Sequence, residues 1–282
     1  MKIMKTICAG LGAVLIAGAA YVGYAAYETR QDINVFEEAV ISKASGTAAN
    51  TVQAGDLDAL PAPVHEYFAY VFPDEMSEMP RWVTFEQEGQ FRRPLTEGFA
   101  HTTARQVLAT SRPDLVFSAN TPIFGPIWAI AYDSFIDGNM EMEARLLSAV
   151  SVMHEFSTPV LDQISLRRWL LESPSNPYAL LPGGIVEWTA IDQTQALATA
   201  RAHGYAASLI ATFDDTGALI SFHAEEDGDL TTPYHGSGEH VARGGYELND
   251  GVRIPMTFVI SRMADEQLYP FWSGRLTSFS FE

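Results

Sequence analysis

From Arg81 to the C-terminus, apolar and polar positions alternate with a period of two. In "WVTFEQEGQF", Val83, Phe85, Gln87, Gly89 and Phe91 fall on one side, with Trp82, Thr84, Glu86, Glu88 and Gln90 on the other. That is the signature of a half-buried strand. "FAHTTARQVLAT", "DLVFSAN", "IWAIAYDSFIDG" and "NMEMEARLLSAV" continue in this manner. So do "GIVEWTAI", "QALATARAH", "AASLIATFD", "ALISFHAEE", "EHVARGGYEL", "VRIPMTFVIS" and "FWSGRLTSFSF". Asp137-Gly138, "FDDTGAL" and "LNDGVRI" are hairpin signals built from Asp, Asn and Gly. No helix alternates regularly with the strands, which argues against parallel βαβ units. The expected fold class is mainly β (α+β): an antiparallel, strongly curved sheet or partial barrel of about eleven strands.

Two segments carry a helical period instead. "LPAPVHEYFAYVFP" puts Val64, Tyr67, Phe68 and Val71 at i, i+3, i+4 and i+7, bracketed by Pro63 and Pro73. "TPVLDQISLRRWLLES" offers Thr158 as N-cap, Pro159 in the first turn, and Leu166, Trp169 and Leu170 as one stripe. Ser173-Pro174 ends this second helix. The "NPYALLPGGIVEW" that follows reads as a corner folding the helix back onto the sheet. Tyr178, Leu180 and Leu181 cover apolar surface there, and Gly183-Gly184 turns the chain.

Ahead of the domain, "ICAGLGAVLIAGAAYVGYAAY" runs uncharged from Ile7 to Tyr27, close to the roughly 20 residues a spanning helix needs. Lys2 and Lys5 precede it, Glu28 and Asp32 follow, and Tyr21, Tyr24 and Tyr27 gather at its outer end. The pattern suggests a single-pass cell-membrane protein with its C-terminal domain on the extracytoplasmic (periplasmic) side. A cleaved signal peptide is the rival reading, because "AGA" and "GYA" resemble small-residue cleavage sites. In "INVFEEAVISKA", Ile33, Phe36, Val40 and Ile41 repeat at helical spacing, and a small, polar, aperiodic stretch follows. The expected organisation is an anchor or signal segment over 1–27, a juxtamembrane helix and flexible tether over 28–57, and the β-rich domain over 58–282.

Charge narrows the function. The formal net charge is −18, and every acidic residue lies at or after Glu28. Such a surface repels phosphate backbones, so nucleic acid is not an expected partner. Cys8, the one cysteine, permits no intrachain disulfide.

Candidate chemistry is sparse, and neither a cofactor nor a metal is expected. The seven histidines are His65, His101, His154, His203, His223, His235 and His240, with no HExxH or His-x-His pattern. His223 precedes "AEEDGD", while His235 and His240 flank "GSGE"; a hydrolase using His223, Glu225 or His235 in the 223–240 region is therefore one alternative. Ser237 lacks the strand-turn-helix setting of a nucleophile elbow. Asp227-Gly228-Asp229 lacks the remaining ligands of a calcium loop.

"LPAPVHEYF", "QEGQF", "YDSFIDGNMEMEARLL", "LRRWLLESPSNPYALLP", "VEWTAID", "FDDTGALISF" and "GGYELNDGVRIP" occur in the order seen in an uncharacterised bacterial domain family. The chain resembles that family over about residues 60–282. It departs at His65-Glu66, where basic residues are usual, and at Asn176-Pro177-Tyr178 in the corner. The strand-rich plan is also similar to the curved-sheet fold of lipoprotein localisation factors, whose concave face holds acyl chains; by that analogy the fold implies an apolar cleft.

Trp128 and Tyr132 share one strand face, Trp169 and Tyr178 lie in the covering helix and corner, and Trp188 begins the next strand. As a cleft they would bind a lipid or other amphipathic small molecule; as plain core they would bind nothing. The leading expectation is a membrane-anchored extracytoplasmic binding or carrier domain. A structural or scaffolding module of a membrane complex is the remaining alternative. Residues 7–27 are expected to remain in the mature protein. Intact-mass measurement of membrane-extracted protein checks this, and a mature N-terminus at Ala20 or Ala26 would overturn it.

Overall fold

The computed structural model describes the chain except residues 1, 49, 51, 53, 75, 77, 94, 95, 229 and 231–237, and leaves aside the side chains of residues 2–9, 11 and 54. One antiparallel sheet dominates. Its first meander is β1 (Trp82–Arg92), β2 (Phe99–Ala109), β3 (Leu115–Phe124), β4 (Ile127–Ile136), β5 (Asn139–Leu146) and β6 (Val150–Phe156). The second is β7 (Val186–Ala190), β8 (Gln195–Ala202), β9 (Tyr205–Phe213), β10 (Leu219–His223), β11 (His240–Asn249), β12 (Val252–Ala264) and β13 (Gln267–Phe281). The spatial order runs β6-β5-β4-β3-β2-β1-β13-β12-β11-β10-β9-β8-β7, so β1 and β13 join the two meanders. The result is a curved, unclosed sheet.

There are thirteen strands, not about eleven. The strand absent from the sequence reading is β6. Its hairpin turns on Leu147 (φ 51°) and Ser148 (φ 58°), two residues that rarely accept left-handed backbone. The expected turn at Asp137-Gly138 has φ of 52° and 80°, and that at Asp250-Gly251 has 49° and 84°, the geometry of two-residue hairpins.

β6 and β7 lie at opposite edges, so the chain between them must cross the whole sheet. It does so as α4 (Pro159–Glu172) followed by two 3-10 turns, Ser173–Ser175 and Pro177–Leu180. The Thr158 hydroxyl caps α4 by accepting from the Leu161 amide at 3.3 Å. α4 packs against β4 and β5 on one side and β8 and β9 on the other, filling the inner face. Leu166, Trp169 and Leu170 are fully buried, and the Trp169 indole donates to the Ala109 carbonyl at 3.1 Å. α3 (Ala62–Val71) adds Val64, Tyr67, Phe68 and Val71 to the same core.

The inner face also holds charge. Arg168 meets Asp133 at 2.5 Å and, one helical turn on, Glu172 meets Arg243 at 2.8 Å. Burial pushes the Asp133 carboxyl up, and Arg168 opposes that by stabilising its ionised form. Arg243 donates further to the Leu171 carbonyl at 3.1 Å and the Ser175 hydroxyl at 3.3 Å, so the end of α4 is tied to β11.

The outer face carries α1 (Lys2–Gly46), one continuous helix through the expected anchor and juxtamembrane segments. Val40 and Ala44 pack with Val107, Ala109 and Val116, flanked by Phe36 and Ile41. Earlier in the helix Val14, Leu15, Ile16, Tyr21, Tyr24 and Tyr27 are exposed. The transmembrane character expected of this helix is not supported, because no helix among the described residues is long and apolar enough to cross a membrane. In the stretch read as a tether, α2 (Ala54–Asp58) forms, and Val52 and Leu57 pack against the core. Residues 49, 51 and 53 of that stretch lie outside the described residues.

The seam between the meanders is close at Gly89, which pairs with Gly274. A Cβ at Gly89 would run into the Ser273 carbonyl oxygen, whereas one at Gly98 would meet nothing within 4 Å. Gly89→Ala is therefore expected to destabilise the fold by roughly 1–3 kcal/mol through overpacking. Gly98→Ala should stay within about 0.5 kcal/mol. Denaturant unfolding of the two variants checks the contrast.

Candidate functional site

Strand alternation separates the five aromatic residues expected to form a cleft. Trp169 and Tyr178 are buried in the inner core. Trp188 joins them there, stacked on Phe222 with ring centroids 6.3 Å apart and donating to the Leu180 carbonyl at 3.0 Å. Trp128 and Tyr132 are on the outer face, on the α1 side. The two groups do not meet. The inner core encloses a cavity of about 50 Å³ lined by Phe91, Phe117, Met142, Ile260, Phe271 and Trp272, with Arg168 at its wall, and Tyr178 also lines a recess of about 430 Å³ with Met79, Arg81, Val252 and Phe281. Small-molecule sites usually offer about 300–1,000 Å³.

A groove of about 750 Å³ lies instead between α1 and the outer face. Its origin is in the cross-strand rows beneath the helix. One row runs Glu88, Thr103, Asn120, Ile130 and Arg145 across five strands; the next runs Glu86, Arg105, Ser118, Tyr132 and Glu143. Where the sheet presents Val107, Ala109 and Val116, the helix sits down on it. Where it presents Thr103, Ser118 and Asn120, the short polar side chains leave a gap, with Trp128 and Ile130 at one end. Ala26, Arg30, Ile33, Asn34 and Glu37 of α1 form the roof.

Ion pairs hold that roof in place. Arg145 donates to the Thr29 hydroxyl and to Asp32, both at 2.9 Å, and to Glu143 at 2.6 Å. Tyr132 donates to Glu143 at 2.7 Å, with the Arg145 guanidinium over its ring at 5.5 Å. Farther along, Glu37 accepts from Arg105 at 3.0 Å and Lys43 pairs with Asp137 at 2.5 Å. Burial works against an ionised Glu143, but the bonds from Arg145, Tyr132 and Ser151 win and hold its carboxyl down to about 2. The Tyr132 phenol is pushed well up, first by burial and then by Glu143. The sequence reading singled out Tyr132 but not Thr29, Glu143 or Arg145: Glu143 and Arg145 are neighbours on β5, but Thr29 and Asp32, which complete the network, lie more than a hundred residues away on α1.

The region considered for hydrolysis is arranged differently. His223 and His240 face each other across β10 and β11, and burial lowers both imidazoles. Glu225 and Asp227 line a separate recess against α4, with Val160, Gln163 and Arg167. Glu239 is tied to Arg167 and Arg262, each at 3.0 Å. Among the described residues no hydroxyl or thiol bonds to either histidine; His235, Ser237 and Asp229 lie outside the described residues. Glu225 is near enough to His223 to oppose the effect of burial on its imidazole. Among the described residues, no three His, Cys, Asp or Glu side chains group as a metal site.

The Glu143 network has a pH consequence. A carboxyl held at about 2, against 4.5 ordinarily, stabilises the fold above its ordinary value; that contribution is lost as pH falls from 4.5 toward 2. Wild-type protein is therefore expected to lose stability between about pH 5 and about pH 3 more steeply than Glu143→Gln, which has no such proton to bind. Denaturant unfolding at the two pH values checks this, and equal losses would refute it.

Comparison with known proteins adds a family but no activity. No curated protein matches the chain. Among solved structures, a DUF1329 family protein from Desulfovibrio piger is similar at 8% identity and a TM-score of 0.39, covering 79% of this chain and 94% of that one. A beta-barrel-like protein of a domain of unknown function, DUF1849, from Brucella abortus is similar at 10% identity and a TM-score of 0.21, covering 72% and 98%. Similarity at these scores carries no argument about this chain. Residues 58–281 match a family of unknown function, DUF6920, over most of the chain's length, and the chain belongs to that family.

Proposed function

We propose that this chain is an extracytoplasmic binding module for an amphipathic ligand, held at a membrane surface by the first half of α1, with its ligand in the groove beneath the second half. The carrying observation is the groove itself, whose 750 Å³ falls in the usual range for small-molecule sites and exceeds the recesses of about 430 Å³ beside Tyr178 and about 420 Å³ beside α4. Its lining is amphipathic: Ala26, Ile33, Trp128 and Ile130 lie beside charged and hydroxyl-bearing side chains. The groove begins at Ala26, among the exposed Tyr21, Tyr24 and Tyr27, so a ligand tail leaving it would run along the apolar part of the same helix. Tyrosines favour the membrane–water interface. Of the five aromatic residues first considered, Trp128 remains a binding residue in this reading, with Tyr132 beneath it as support.

A specific observation favours the scaffolding alternative as well. The edge strand β6 exposes Val150, Val152 and Phe156, at 55–58%, on a row that no described element covers. An open edge with apolar side chains is a surface for another chain.

Native mass spectrometry of full-length, membrane-extracted protein separates the two. The binding reading expects a co-purified amphipathic molecule that Trp128→Ala loses without a change in melting temperature. If no such molecule is carried, and Val152→Glu instead dissociates an assembly, the scaffolding reading replaces it.

A further inference from the structure

We infer that the polar end of the groove is built for an uncharged, hydroxyl-rich head group, so that the ligand is a glycan, free or lipid-linked. This inference rests on the groove as the binding site and adds the chemistry of what it binds.

The charges in the groove are mostly spent on one another. Glu37 and Glu86 face Arg105 at 3.0 and 3.9 Å, and Glu88 faces Arg275 at 2.7 Å. That leaves Arg30 as the one lining charge without an ion-pair partner among the described residues. A single exposed arginine, on a chain of net charge −18, is a poor counterpart for a phosphate or sulfate, which recruits several cationic donors.

Uncharged hydrogen-bonding groups, by contrast, are unspent. The side chains of Asn34, Thr103, Ser118, Asn120 and Thr277 all line the groove, and none is hydrogen bonded to another described protein group. Amides and hydroxyls donate and accept, as sugar hydroxyls do, and neither partner must shed a charge to bind. Thr103 and Asn120 are direct cross-strand neighbours, and Asn120 is opposite Ile130, so the polar row leads straight to the apolar end. There Trp128 supplies a flat ring for the C–H face of a pyranose or for the start of a lipid tail.

Three probes test this on the full chain in phosphatidylcholine nanodiscs: maltose, dodecyl maltoside and dodecyl phosphate, titrated by saturation-transfer NMR. The expected result is saturable binding of a maltose head that Trp128→Ala abolishes. The double variant Asn34→Ala, Asn120→Ala should weaken it about tenfold or more, in line with the loss of two hydrogen bonds. The side chains of both asparagines are exposed and hydrogen bond to no described protein group, so the melting temperature of the double variant should not move. Equal affinity for maltose and dodecyl maltoside identifies a free glycan as the source. Dodecyl maltoside binding about tenfold or more tightly identifies a glycolipid. Trp128-dependent binding of dodecyl phosphate as tight as that of the maltoside overturns the glycan head and leaves the groove reading standing. If none of the three binds in a Trp128-dependent way, both fall.

Discussion

A thirteen-stranded sheet with its two edges at opposite ends has to be bridged by the chain that joins them, and that bridge is α4 with its two 3-10 turns. The crossing lies over the inner face, so the concavity becomes the place where the connector is buried. Trp169, Leu166 and Leu170 fill it with apolar bulk, and the corner around Tyr178 finishes the packing. The cost of the design appears in Arg168, Asp133, Glu172 and Arg243, four ionised groups taken out of water. Desolvating such groups is expensive, and each is tolerable because its partner is held in hydrogen-bonding geometry. These pairs also link α4 to β4 on one side and β11 on the other, which fixes where the helix lies across the sheet.

Filling the inside moves the opportunity for binding to the outside. The outer face would be bare sheet without α1, and α1 covers it unevenly. It rests on valine and alanine near Val40 and Ala44, and it is pinned by ions near Thr29, Asp32 and Glu37. Between these attachments the sheet offers Thr, Ser and Asn, whose side chains are too short to reach the helix. The groove is the space left by that mismatch, with polar walls because those residues line it. The same helix exposes its preceding apolar turns, so groove and exposed segment share one rigid element.

Much of the fold was legible in local pattern. Twelve of the strands announced themselves by alternation, and α3 and α4 by their spacing and their prolines. The exception, β6, follows a turn made from Leu147 and Ser148, whose left-handed backbone is imposed by strand pairing and not by the intrinsic preference of either residue. The helical spacing of Ile33, Phe36 and Val40 was also legible, but the partner of that stripe was not: Val107 and Val116 are outer-face positions of strands whose inner faces looked like the whole core. Two aromatic rings on β4, two on the connector and one on β7 gave no sign of belonging to opposite sides of a sheet.

The sequence alone determined the elements, because side-chain period, proline and turn chemistry act over a few residues. It determined too that the chain is strongly acidic and that its uncharged first segment differs from everything after it. Tertiary structure decided which face each strand position took, since that depends on which strand pairs with which and where the β6–β7 connector runs. It decided that α4 and its turns occupy the inner face and that an open groove lies under α1. It brought Glu143, Arg145, Tyr132 and Thr29 into one network, and Thr103, Ser118, Asn120 and Asn34 around one space. Cross-strand rows and helix-on-sheet contacts join residues tens to more than a hundred positions apart, and no local pattern in a single chain encodes such a meeting.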